Sequence, residues 1–184
     1  MFLRKTARTW SWKSFFKGEV KGSIAIESAL LLPVFALIFV GSTTLFQIQR
    51  VDSSYLHATT TINDLVTRQV EITDDRAEEY YATARSLVAS DDNLTVTITS
   101  VSYNAADEEF YVLWSSSNID GQEHEDEDIQ GYDFPAMDET ESVILVTLQG
   151  SVAPLFDGIL GTEVNLSKHS IRRPRLVRLV DRKP

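Results

Sequence analysis

Hydrophobic and polar positions divide the chain into three stretches with different rhythms. Ala29 to Val40 is apolar without a break, and from Ser23 to Phe46 the only ionisable residue is Glu27. As a helix, Ile24 to Phe46 spans roughly 34 Å at about 1.5 Å per residue, which matches a bilayer's hydrocarbon core. A soluble helix of that length carries a polar face, and none is visible here. Pro33 removes one helix donor and predicts a local kink. Beyond Phe46 the apolar positions thin to a three-to-four spacing at Val51, Tyr55, Ile62, Leu65, Val66 and Val70, which predicts that the helix continues as an amphipathic stalk. A second amphipathic helix is expected from Arg76 to Ala89, with Asp74 or Asp75 as its N-cap and Asp91-Asp92-Asn93 at its end.

Period two then replaces period 3.6. Leu94, Val96 and Ile98 alternate with Thr95, Thr97 and Thr99, predicting a half-buried strand. Phe110–Trp114 is a second strand, with Asn104–Asp107 as the turn between them. Ser142–Leu148 is a third and, with Val143, Ile144, Leu145 and Val146 consecutive, a central one. Glu163–Ile171 is a fourth. The expected architecture is α+β: a long N-terminal transmembrane helix, a helical stalk, then a small antiparallel sheet of pilin-like form. The divisions are a leader at 1–22, the membrane helix at 23–46, the stalk at 47–90, the β domain at 91–175 and a basic tail at 176–184.

Charge sharpens the picture because it is partitioned. Residues 1–22 hold six basic residues against Glu19, and residues 168–184 hold seven against Asp181. Residues 23–167 hold four arginines against twenty-five carboxylates. The basic leader places the N-terminus in the cytoplasm by the positive-inside rule, and residues 47–184 outside it. The acidic middle repels nucleic acid and anionic headgroups. A cleavable secretory signal is the rival for the N-terminal segment, but its apolar region is shorter and closes on an A-x-A-like site. Val40-Gly41-Ser42 is the nearest imitation.

Between strands two and three, residues 115–141 form an insert containing Gly121-Gln122-Glu123-His124-Glu125-Asp126-Glu127-Asp128. Mutual repulsion predicts a solvated loop or disorder, with Tyr132, Phe134 and Pro135 as anchors to the sheet. Carboxylates at 123–128 suit Ca²⁺, but the spacing of an EF-hand is absent. No metal ligand set and no cofactor motif is expected. The chain has no cysteine, which excludes disulfides and thiolate chemistry. His57, His124 and His169 lack ligand spacing and read as surface or capping residues. No nucleotide loop or G-x-S-x-G is present, so an enzyme is not expected. Trp10, Trp12, Phe15 and Phe16 alternate with lysines and suit an interfacial leader segment, or a leader with no bound state.

Gly22 and Glu27 carry the most specific signal. A carboxylate inside an apolar helix is costly and is a functional hypothesis by default. If the chain is cut after Gly22, the new amine of Ser23 lies one helical turn away and can pair with Glu27 of the same or a neighbouring chain. The other reading is that Glu27 snorkels to the headgroups and Gly22 is incidental. Basic leader, glycine, apolar helix and a glutamate at the fifth position of the processed chain together resemble a type IV prepilin site. The run from Gly22 to Phe35 is similar to the TadE-like proteins of the Tad (Flp) pilus, whose helix opens G-x-x-A-x-E-x-A-L-x-x-P. Gly22, Ala25, Glu27, Ala29, Leu30 and Pro33 match it. Arg172-Arg173-Pro174-Arg175 resembles the Arg-Pro-Arg ending common in that group. The resemblance covers 22–46 and 171–175, and the middle agrees only in length and strand pattern. The von Willebrand-type domain of the related TadG proteins is missing, and the major Flp pilin is much shorter.

The resemblance implies a TadE or TadF minor pilin, or pseudopilin, cut between Gly22 and Ser23 by a prepilin peptidase. Glu27 and Pro33 would serve helix packing. Partners would be other Tad pilins and inner-membrane assembly proteins, with the C-terminal domain periplasmic or pilus-associated and no nucleic acid bound. The competing function is an uncleaved, single-pass anchored binding or adaptor protein, and a third is an extracytoplasmic enzyme.

Overall fold

A computed structural model describes residues 13–88, 93–154 and 163–183, with side chains from Ala25 onward. The expected α+β class, a long apolar helix followed by a small antiparallel sheet, is what the chain adopts. Helix α1 spans Lys13–Val66 and contains Pro33. Contacts divide the chain into two units, Met1–Thr43 and Thr44–Pro184. The described part of the first, from Lys13 onward, is helix. The second is the folded domain: the C-terminal part of α1, β1 (Glu71–Thr73), α2 (Asp74–Val88), β2 (Thr95–Asn104), β3 (Glu109–Ser117), α3 (Asp126–Ile129), β4 (Ser142–Val152), β5 (Val164–Arg172) and β6 (Asp181–Lys183).

Four strands form an antiparallel sheet in the order β3-β2-β4-β5, so β3 and β5 are its edges. The predicted hairpin turn closes as Asn104 Nδ2 donates to Asp107 Oδ2 at 2.5 Å, and Glu108 turns the chain with φ 57°. The β2–β3 register slips between Ser100 and Val101, pairing Ser100 with Trp114 and Val101 with Val112. Leu113 is left over, as one extra residue in a bulge requires.

The run Val143–Val146 is buried throughout because β4 is central and both faces of the sheet are covered. On one face Val96, Ile98, Ile144, Val146 and Leu148 pack against Tyr55, Ala58, Ile62 and Val66 of α1 and against Ala77, Tyr80, Tyr81, Ala84 and Val88 of α2. On the other, Val101, Val143 and Leu145 pack under Ile129 and Phe134 of the insert.

Several expectations change. The second helix expected from Arg76 to Ala89 forms as α2, Asp74–Val88, and folds back into the core that α1 lines, whereas α1 stops at Val66, short of Val70. The side chain at the start of α2 that faces Arg76 N is Thr73, with Oγ1 at 3.4 Å, whereas Asp74 and Asp75 lie inside the helix. The expected end of that helix, Asp91-Asp92, falls outside the described residues, as do the aromatic side chains of the leader. The tail is not simply a basic end. Residues 181–183 form β6, parallel to β1, with Val180 buried beneath it and its carbonyl accepting from Trp114 Nε1 at 2.7 Å. Lys183 pairs with Glu71, and Arg182 with Asp74 at 2.9 Å.

Gly150 on β4 has a steric role. A Cβ built there lies 2.3 Å from Tyr55 Oη, so only glycine admits the tyrosine of α1. Gly150→Ala is expected to destabilise the domain by about 1–3 kcal/mol through overpacking. Gly131→Ala, which meets nothing within 4 Å, serves as control. Thermal unfolding of the full chain in detergent measures both, and equal melting points would show that Tyr55 moves aside without cost.

Candidate functional site

The helical unit supplies the first candidate. Its most apolar window has a mean hydropathy of 2.2 and is only 6% buried, making α1 the one described helix long and apolar enough to cross a membrane. Leu30, Phe35 and Phe39 are each more than 60% exposed. Bare side chains of this kind form a patch that water disfavours, at roughly 25 cal/mol per Å². The Thr43 hydroxyl, near the end of the apolar run, turns back onto the carbonyls of Phe39 and Val40 at 3.1 and 2.9 Å, which keeps it satisfied within the helix.

Gly22 and Ser23 both lie in the helical backbone of α1. Ser23 and Glu27, four residues apart, share one side of it. Glu27 is on the exposed surface. Pro33 stands six residues further on, inside the apolar run.

The folded unit contains a second group of polar side chains, brought together by the insert. Instead of extending into solvent, residues 118–140 form a strap across one face of the sheet. Ile129 is fully buried and Phe134 nearly so, with the Phe110 and Phe134 rings 4.8 Å apart. Hydrophobic anchoring therefore outweighs repulsion along 123–128. The carboxylates hold backbone donors: Asp126 Oδ1 accepts from Val112 N at 2.6 Å, Asp128 Oδ2 from Glu125 N at 2.9 Å and Glu123 Oε2 from Gly121 N at 2.8 Å. Gln130 Nε2 donates to Phe110 O at 3.1 Å. Asp126 and Gln130 thus occupy backbone groups along the β3 edge.

Under this strap a cleft of about 310 Å³ is lined by Thr95, Thr97, Gln122, Glu123, His124, Asp128 and Tyr132. His124, expected at the surface, is half-buried there. Its Nδ1 lies 2.9 Å from Thr99 Oγ1, and its backbone N donates to Ser115 Oγ at 2.9 Å. Among the described residues no three of His, Asp and Glu converge to hold a metal ion.

The third feature is an arginine cluster at the opposite edge. Asp64 of α1 pairs with Arg68 at 2.6 Å, Arg175 at 2.5 Å and Arg172 at 3.3 Å. Partial burial pushes the Asp64 pKa up, but the Arg68 hydrogen bond and the charges of Arg175, Arg68 and Arg172 outweigh it and hold the carboxyl below the usual range. Arg173 pairs with Glu141 at 3.3 Å and donates to Ala136 O. The Arg-Pro-Arg segment therefore fastens the end of β5 to α1 and to the strap.

No family model, curated protein or solved structure matched this chain.

The sequence singled out Gly22, Ser23, Glu27 and Pro33, and all four lie on α1. It missed the clasp of His124 on Thr99 and the sharing of Asp64 among three arginines. Thr97 and Thr99, on the face opposite Val96 and Ile98, were the available signal for a polar partner above the sheet.

Burial lowers the His124 pKa, and Asp128 opposes the shift. A histidine with a depressed folded pKa binds more protons when unfolded, so its contribution is complete above the unfolded value of about 6.5 and declines as pH falls below it. The protection of the amides of residues 118–130, relative to intrinsic exchange at each pH, should therefore fall as pH drops below about 6.5. His124→Gln should remove that loss, and an unchanged protection profile in this variant would assign it to the carboxylates.

Proposed function

We propose that this chain is a TadE-like minor pilin, or pseudopilin, anchored in a bacterial inner membrane and taking part in Tad (Flp) pilus assembly or adhesion. The observation that carries the reading is the Gly22–Glu27 spacing at the head of a single, almost wholly uncovered apolar helix. The basic leader lies on the cytoplasmic side, and a prepilin peptidase cuts between Gly22 and Ser23. The Ser23 amine formed by the cut is then one turn from the Glu27 carboxylate. In a low-dielectric layer such a charge pair is much stronger than in water. Between neighbouring chains it sets the register in which two helices lie side by side, with Pro33 a further packing feature of the same helix.

The folded domain lies on the periplasmic side, available to other Tad pilins and to inner-membrane assembly proteins. Its role is assembly and contact, without catalysis, cofactor or nucleic acid. An exposed apolar helix joined to a domain with its own closed core suits this role, because the anchor can be buried laterally while the domain remains folded.

Intact mass of the protein from native membranes, with and without its prepilin peptidase, tests the reading. Peptidase-dependent loss of residues 1–22 is the expected result. Full-length protein in both preparations would leave an uncleaved, single-pass adaptor as the better account. Glu27→Ala is expected to preserve cleavage and to impair assembly by about tenfold or more, given the energy of a charge pair in the membrane. Normal assembly of Glu27→Ala would eliminate the pairing.

A further inference from the structure

The two edges of the sheet carry opposite, incompletely compensated charge. At the β5 edge, Arg68, Arg172, Arg173 and Arg175 gather around two carboxylates, Asp64 and Glu141. Arg68, Arg173 and Arg175 are about half exposed. Leu176, which follows Arg175, is 68% exposed, and Leu65, one turn before Arg68, is also open. Half-exposed arginines around an uncovered leucine have the composition of a protein-binding surface.

The β3 edge has the complementary character: Arg182 donates to Ser115 O there but is neutralised by Asp74, and the remaining charge is acidic. Glu123, Glu125, Asp126, Glu127 and Asp128 flank it on the strap, and among the described residues none of them is in an ion pair. The hydrogen bonds that Glu123, Asp126 and Asp128 accept come from neutral backbone amides and leave their charge in place.

Register shows that the two surfaces stand level. Arg172 pairs with Ile144, Ile144 with Ser100 and Ser100 with Trp114, one row running straight across the sheet. Val112, which Asp126 holds, is two residues from the end of that row. Three strand spacings of about 4.8 Å separate the edges, too far for the arginines to reach the acidic run of their own chain.

We propose that the arginine–leucine patch at the β5 edge docks the acidic strap at the β3 edge of a second copy of this chain. Charge complementarity selects the partner: the patch calls for a dense, uncompensated run of carboxylates, and the chain carries one at the same height on its far side. Because the two contacting surfaces differ, the contact is heterologous, and a translation that brings β5 of one copy beside β3 of the next repeats without closing. The patch is built entirely within the folded domain, so the inference stands apart from cleavage after Gly22, which intact mass reads separately.

The absence of cysteine makes the test clean. Full-length Leu176→Cys and Glu127→Cys chains are prepared separately, mixed in membranes and treated with a short bis-maleimide. A crosslinked dimer in the mixture, and in neither chain alone, is expected. Its yield should fall several-fold between about 0.1 and about 1 M salt, as the screening length shrinks from about 10 to about 3 Å. Both positions are exposed and outside the core, so loss of fold does not confound the result. A dimer formed by Leu176→Cys alone would mean a symmetric contact and overturn the proposal. So would the absence of any crosslink, which would assign the patch to a different acidic protein, and so would a yield indifferent to salt.

Discussion

The domain depends on how α1 is seated on the sheet. Tyr55, Ala58, Ile62 and Val66 recur every three or four residues and are almost completely shielded from water, so one stripe of the helix forms the floor of the main core. Inside that stripe Asn63 is fully buried and donates to the carbonyls of Ile144 at 3.2 Å and Ser170 at 2.6 Å, on the two neighbouring strands β4 and β5. A buried amide donor needs acceptors, and these two carbonyls supply them. Tyr55 adds a steric limit through its fit against Gly150. The axial position of the helix is thereby set by one polar tie and one close approach, with apolar packing supplying most of the stabilisation.

This seating organises the rest. With α1 on one face, α2 folds back beside it and the remaining open face of the sheet must be covered from elsewhere. The strap does this, inserting Ile129 and Phe134 while its carboxylates remain at the rim. The last turn of α1 also carries Asp64, so the helix that forms the core presents the carboxylate that collects Arg68, Arg172 and Arg175. Thr67 O accepts from Arg175 N at 2.8 Å, which draws the chain after β5 across the helix end and directs the tail towards β1. The chain thus returns twice to its own first helix, and neither return needs a disulfide.

Charge follows the same division. The basic residues of the C-terminal section, which by composition could have been a free cationic tail, are engaged with Asp52, Asp64, Glu71, Asp74 and Glu141. Among the described residues the acidic run at 123–128 is in no ion pair, although Arg182 reaches Ser115 O on β3, where Asp74 holds it. A strongly acidic average therefore conceals a folded domain with two unlike edges.

The apolar helix, the β2–β3 hairpin turn and the central place of β4 could be read directly, because each depends on a pattern local in sequence: an uninterrupted apolar run, a turn at Asn104–Asp107, four consecutive branched residues. The spacing from Gly22 to Glu27 is likewise a property of the linear chain. Of the strap, only the anchoring by Tyr132 and Phe134 could be read in that way. The end of α1 at Val66, the return of α2 into the core, the parallel β1–β6 pair and the pairing of Asp64 with arginines more than a hundred residues away could not. Those features rest on contacts whose partners are far apart in sequence, and a repulsive run of carboxylates gives no hint that Ile129, one residue beyond it, is buried. Local patterning determined the apolar helix, α2 and the four strands of the main sheet, but not α3, β1 or β6. Only tertiary burial decided which polar and charged groups are satisfied within the domain and which are left facing outward.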